Sequence, residues 1–431
     1  MMLLKSSLLI GFFLIIVGFE PSIADQLYPE YGGKKAVMMT LVDYQFRDGT
    51  QQNEKFGFYI DLAAYALTRS DVYIGINEKL YNSTNQITEV NLNHPSGKIY
   101  LKIPFEFEYY SKLRIFLESV NQKFKTAIQE VGGKPHRIYI FSTKNPLPYI
   151  RDMAPVPVKT DQGNLRFIGD YKSTNSDLDS YIFNFISATD LNKIETIPTH
   201  IQPSQFTIDE ENLFLTNKIP IVEQKVDQNA SILLDRMPGE TLGLDGFSNL
   251  LRSFFSFERS IFLTPHPLET TGHLDTLLKL VKNHKNETIA LLSSYNQQNL
   301  YYTHDQDGKA SPHHQREVKE RGAHNQIDKN NISRLNSYQY QVIELPIAGF
   351  YTSDKTPYTF NYTNSVILDD LVLVPQYKTG SKTPTINQQQ LSQSNLTAIK
   401  IYQRYFNHVV GITVPPLGGA LHCLTTDIPE F

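Results

Sequence analysis

The chain has 431 residues, 40% hydrophobic and 19% charged, a balance that suits a folded protein with an ample core and excludes a mostly disordered one. Its 40 basic and 44 acidic side chains leave a formal charge of −4, which argues against a nucleic-acid partner. A single cysteine, Cys423, excludes an internal disulfide framework and any zinc site built on two thiolates.

Lys5 precedes an unbroken apolar run of ten residues, Leu8–Val17, followed by the small-residue exit Ser22-Ile23-Ala24. This is the layout of a secretory signal peptide cleaved after Ala24. The run is short for a membrane anchor, which takes about 20 residues. Residues 1–24 are therefore expected to be a signal peptide. Residues 25–431 are expected to form one exported domain, secreted or periplasmic, with no membrane segment after cleavage.

Residues 25 to 105 show no pattern that places an element. Phe105–Val131 is expected to be a helix, because Leu113, Phe116, Leu117, Val120, Phe124 and Ile128 recur near helical spacing and Gly132-Gly133 ends it. Arg137–Ser142 and Leu165–Ile168 read as strands. Leu274–Val281 reads as a short helix. The polar stretch 301–336, with His304, His313, His314 and His324, reads as a solvated loop. Its His313-His314 pair lacks a recurring metal-ligand spacing, so no metal is assigned there. Gln341–Leu345, Ser365–Val374 and Val409–Val414 read as strands, and Gln388–Asn407 as a helix. Strands alternating with helices make a mixed α/β architecture. No sequence repeat of fixed period is present. Asn82, Asn229, Asn286, Asn331, Asn361 and Asn395 head N-x-Ser/Thr sequons.

Four short stretches are chemically distinctive: Tyr149-Ile150-Arg151-Asp152-Met153-Ala154-Pro155, Thr270-Thr271-Gly272-His273-Leu274-Asp275-Thr276, Tyr362-Thr363-Asn364-Ser365, and Gly418-Gly419-Ala420-Leu421-His422-Cys423-Leu424-Thr425. Each alone has a plain structural reading: an ion pair, a surface coincidence, a turn, a tight loop over a buried thiol. Together and in this order they resemble the agmatine deiminases and the Porphyromonas-type peptidylarginine deiminases of the pentein superfamily. Ala-Leu-His-Cys, Gly-His-x-Asp and Tyr-Thr-Asn-Ser carry most of the resemblance, which is clearest from 137 to 431.

The resemblance implies a pentein-type α/β propeller with five-fold pseudosymmetry, a guanidino substrate and no metal or organic cofactor. It assigns Asp152 and Asp275 to grip the guanidinium, Cys423 to attack its carbon, and His273 to serve as acid and then base. Asn364 and Gly419 would line the substrate site, with Asn364 ordering the Cys423 loop or the substrate by hydrogen bonds. The chemistry suits these residue types. A guanidinium is a poor electrophile because its charge is delocalised. Two carboxylates can hold its N–H edges, and a thiolate can attack the carbon held between them. His273 and Asp275 lie two apart, a spacing that shares one face on an extended segment. His422 would point away from its neighbour Cys423 and reads as structural.

The chain departs from the family at Pro203-Ser204-Gln205, where many members carry Gly-Gly-Asn. Around Asp170-Tyr171-Lys172-Ser173 it lacks the arginine pair of the secreted peptidylarginine enzymes, and it has no tryptophan. Peptidyl arginine, agmatine and free arginine stay open as substrates. An amidinotransferase and a catalytically inactive binding protein on the same scaffold are the alternatives. A cysteine protease is set aside, since a peptide carbonyl has no use for paired carboxylates.

Overall fold

The computed structural model describes residues 25–41, 52–77, 87–90, 107–143, 149–152, 154–160, 163, 165–170, 195–197, 203–218, 243–266, 272–295, 314–351, 357–378, 388–414 and 420–430. The proposed signal peptide, Gly418, Gly419, Lys172, Asn82, Asn229, His304 and His313 lie outside them.

The stretch that carried no sequence pattern builds a large part of the core. Lys34–Thr40, Asp71–Asn77 and Ile138–Thr143 run parallel at the centre of a five-stranded sheet, with Thr426–Pro429 and Ile87–Val90 antiparallel at its edges. Parallel strands need a crossover. The helices Gln52–Ala66 and Phe107–Val131 lie in the two connections and pack on each other. Both faces of the sheet are covered. Val37, Met39, Val72, Ile74, Ile138 and Ile140 meet the helices, while Ala36, Met38, Tyr73, Tyr139 and Phe141 meet Ile150, Ala154 and Phe167. Strands buried on both faces read as continuous apolar runs, without alternation.

Gln52–Ala66 was silent for a related reason. Phe58, Tyr59 and then Leu62 through Leu67 are all buried, so no polar stripe marks a helical period. Phe107–Val131 is amphipathic, burying Leu113, Phe116, Leu117, Val120, Ala127 and Val131. It stops at Gly132 and Gly133, with φ of 64° and 104°. A Cβ at Gly133 would stand 2.3 Å from the Thr68 carbonyl oxygen, so only glycine fits there.

One topological unit recurs through the rest of the chain: an antiparallel hairpin, a helical crossover, and a strand parallel to the second hairpin strand. Phe206–Ile208 and Asn212–Thr216 are followed by the helix Leu244–Arg252 and the strand Arg259–Leu263. Leu278–Lys282 and Thr288–Ser294 are followed by the helix His314–Ser337 and the strand Gln341–Tyr351. Val366–Leu368 and Leu371–Tyr377 are followed by the helix Gln388–Tyr402 and the strand His408–Val414. Val156–Lys159, Leu165–Asp170 and Glu195–Ile197 repeat the strand pattern, with their connection outside the described residues. The two chain ends complete another unit, because Thr426–Pro429 makes the hairpin partner of Lys34–Thr40.

Two expectations are corrected. Leu274–Val281 is not a helix but a single 3₁₀ turn, Leu274–Thr276, running into the strand Leu278–Lys282. The stretch read as a loop contains the 24-residue helix His314–Ser337. The strand-forming stretch from Ser365 is a pair, Val366–Leu368 and Leu371–Tyr377, turned at Asp369 with φ 54°. Of the sequons among the described residues, Asn331 and Asn361 are buried, and Asn395 spends its amide on Tyr377 and Tyr362. Asn286 is exposed on a turn.

Candidate functional site

The distinctive residues occupy equivalent places in the recurring unit. Each sits on the tight segment that leads into the first strand of a hairpin. Ile150–Asp152 precedes Val156–Lys159, Pro203–Gln205 precedes Phe206–Ile208, and Leu274–Thr276 precedes Leu278–Lys282. Asn364 precedes Val366–Leu368, and the turn bearing Cys423 precedes Thr426–Pro429. Packing the hairpins side by side brings these turns together. His273 ends the extended approach to its turn, with φ −68° and ψ 134°. Gly272 before it has φ +73°, and its carbonyl accepts the Thr216 hydroxyl at 2.6 Å. The left-handed backbone explains a glycine ahead of the histidine.

Five side chains from four of these turns converge. The Cys423 thiol is 3.3 Å from Asp275 Oδ2, and Asn364 Nδ2 donates to Cys423 Sγ at 2.9 Å. Asn364 Oδ1 accepts the backbone N–H of His422 at 2.9 Å and of Cys423 at 3.2 Å. One buried amide thereby pins the turn of Cys423 at three points. Asp275 Oδ2 also meets His422 Nδ1 at 2.8 Å. Asp275 Oδ1 is buried with no hydrogen-bond partner among the described residues. His273 Nδ1 stands 3.8 Å from Asp152 Oδ1. One atom each of His273, Asp275 and Cys423 lies within 4.8 Å of the other two. Gly419, assigned to the substrate site, lies outside the described residues.

Two participants were missed in the sequence. Ser204, completely buried, donates its hydroxyl to Asp152 Oδ1 at 2.6 Å. The residue that marks the departure from the family is thus hydrogen-bonded to one of the candidate carboxylates, and its turn position was the available signal. Glu30 is the second. It pairs with Lys279 at 2.6 Å and lies against His422 Nε2. No motif surrounds it, and only the fold brings it near. His422 sits on a turn, not on an extended segment, so its side chain reaches Asp275 and Glu30 behind the sulfur.

A band of buried charges supports the site from below. Arg151 donates Nε to the His422 carbonyl at 2.9 Å and Nη2 to Asp427 at 3.0 Å, and Lys34 meets the same Asp427 oxygen at 3.1 Å. Burial raises the Asp427 pKa, but Lys34 and Arg151 outweigh it and hold the carboxyl at about 2. Asp275 goes the other way. Burial pushes its carboxyl up to about 6, with His273 opposing and Asp152 adding to the shift. Burial, then the Asp275 and Asp152 carboxylates, raise the Cys423 thiol well above its ordinary range.

Two sets of ionisable atoms are close enough to share a metal ion: His273, Asp275 and Cys423, and Glu30, His422 and Asp427. Contacts within the protein already engage Cys423, Asp275, His422 and Asp427, and we read neither set as a metal centre.

The model of the family described as Porphyromonas-type peptidyl-arginine deiminase matches residues 98–429. The chain belongs to this family. Among curated proteins none matches significantly. Solved structures similar in fold include two agmatine deiminases. An agmatine deiminase of C. jejuni, 12% identical, superposes with a TM-score of 0.55 over 94% of this chain and 96% of its own. The agmatine deiminase of Enterococcus faecalis, 15% identical, gives 0.54 over 94% and 96%. At such identities the likeness is one of fold.

Proposed function

We propose that this family member is an exported guanidino-group deiminase. It converts a guanidinium to a ureido group and ammonia, with Cys423 as nucleophile. The observation that carries this reading is the sulfur's setting: one thiol against the Asp275 carboxylate, with His273 in the same cluster and Asp152 beside His273.

The geometry suggests the following course. The substrate cation is gripped by Asp152 and by the unpartnered Oδ1 of Asp275. Its charge reverses the electrostatics that keep Cys423 protonated, and the thiol proton passes to the ring of His273. The thiolate adds to the guanidinium carbon, and the C=N electron pair moves onto nitrogen. His273 protonates one amino group, the C–N bond breaks, and ammonia leaves a thiouronium on Cys423. Water then attacks the same carbon while His273 takes its proton. The C–S bond breaks, the ureido product departs, and the sulfur is restored.

The substrate is peptidyl arginine, agmatine or free arginine. Export after cleavage at Ala24 favours arginine in peptides. We read residues 25–431 as one catalytic domain, with the recurring units as blades of a five-bladed propeller. A colorimetric ureido assay on the three substrates tests the reading. Product is expected from at least one, with none from Cys423→Ala. Folded wild-type protein that yields no ureido product from any of them would point to a binding role instead.

A further inference from the structure

Glu30 precedes the stretch that the family model covers, in the turn between the strands Asp25–Leu27 and Lys34–Thr40. From there its carboxylate reaches the back of the sulfur site. Oε1 takes the fully buried Lys279 ammonium at 2.6 Å and lies against His422 Nε2. His422 Nδ1 is 2.8 Å from Asp275 Oδ2, the same oxygen that accepts the Cys423 thiol at 3.3 Å. Glu30, His422, Asp275 and Cys423 therefore form one unbroken file, and the Glu30 side chain is only 11% exposed.

The protons along this file can be counted. A neutral imidazole has one N–H and one bare lone pair. It can donate to one of its two carboxylate neighbours, but it then turns an acceptor toward the other. His422 Nε2 meets Glu30 in an ion-pair contact but makes no hydrogen bond among the described residues, and only one further proton on the ring would let both ring nitrogens donate. Burial, then the cations Arg151, Lys279 and Lys34, oppose that proton and push the ring's pKa well below its ordinary value. Glu30 and Asp275, each in contact with a ring nitrogen, and Asp427 close by, favour it. With the second proton on the ring, Glu30, His422 and Asp275 sum to one negative charge, which Lys279 balances.

We propose that Glu30 is a positioning residue: its charge keeps the extra proton on His422, so that Asp275 faces the substrate as a carboxylate already compensated from behind. The assignment rests on the deiminase reading for its functional meaning, and its physical content is a claim about the sulfur. Without the Glu30 charge the ring loses its second proton. Asp275 is then less compensated and raises the proton affinity of Cys423.

Cys423 is the chain's one cysteine, so alkylation by iodoacetamide reports on it alone and needs no substrate. Glu30→Gln should shift the alkylation midpoint upward by about one pH unit, slowing the reaction about tenfold at neutral pH, and Glu30→Asp should restore it to within about threefold of wild type. In turnover the loss should fall on kcat more than on KM. Glu30→Gln leaves Lys279 unpaired, so the double variant Glu30→Gln/Lys279→Met, which removes both charges, is measured beside it. A wild-type alkylation profile in either folded variant would overturn the proposal and reduce Glu30 to a counter-ion for Lys279. If wild type turns over no guanidino compound, the deiminase reading fails while alkylation still decides the role of Glu30.

Discussion

Asp275 uses its two oxygens differently: Oδ2 serves His422 and Cys423, while the buried Oδ1 has no partner among the described residues. A buried acceptor left unpaired costs about 1–3 kcal/mol, and a guanidinium N–H would satisfy it. Because burial raises this carboxyl to about 6, cation binding should weaken as pH falls through that value. The dissociation constant of an arginine derivative, measured by calorimetry on Cys423→Ala, should rise between pH 7 and 5. A flat profile would mean that Asp275 is not the grip. The effect on folding has the opposite sense. A carboxyl whose folded pKa lies above its unfolded 3.8 adds stability below 3.8, and that stability is lost as pH rises through about 6. Asp427, held at about 2, contributes stability above 3.8 that is lost as pH falls through about 2. Ser204→Ala removes the hydroxyl that orients Asp152. It should raise KM several-fold, matching the loss of about 1 kcal/mol of hydrogen bond, with a smaller change in kcat in steady-state assays.

The helix His314–Ser337 shows why an element can hide in its own sequence. Its inward face carries His324, Asp328, Asn331 and Leu335, at helical spacing, and all four are buried. Three of the four are polar, so the segment looks like a solvated loop. The buried face is occupied with hydrogen bonding. Asp328 Oδ2 accepts the Tyr295 backbone N–H at 2.8 Å and the Ser294 hydroxyl at 3.2 Å, and Asn331 bridges the N–H and carbonyl of Thr264. Asp328→Ala removes the acceptor of the Tyr295 N–H and should cost about 3 kcal/mol, readable as a lower urea midpoint. Leu274–Val281 was misread for the converse reason. Its apolar residues suit helix and strand alike in so short a run, and antiparallel pairing with Thr288–Ser294 decides for the strand.

At the scale of the molecule, the two chain ends meet. Thr426–Pro429, which follows directly from the Cys423 turn, pairs with Lys34–Thr40, and Glu30 reaches His422 from the same N-terminal segment. A chain beginning at residue 98 would keep Asp152, His273, Asp275, Asn364 and Cys423. It would still lack the two strands Lys34–Thr40 and Asp71–Asn77 and the helix Gln52–Ala66, whose side chains form part of the largest core cluster among the described residues. We expect it to show no cooperative unfolding by circular dichroism and no thiol protected from alkylation. A cooperative transition would mean that the N-terminal segment is dispensable for folding.

Local pattern was enough to mark the amphipathic helix Phe107–Val131 and several β-rich strands, because periodicity and residue type speak directly within a few neighbouring residues. The four distinctive stretches gained meaning only together, through their resemblance to a known family. The chain does not say by itself that Ser204 holds Asp152 or that Glu30 stands behind His422. Those relations join residues 52 to 392 positions apart. They exist because parallel pairing of distant strands packs the hairpins side by side and closes the chain's ends on one another, and no local period records such a contact.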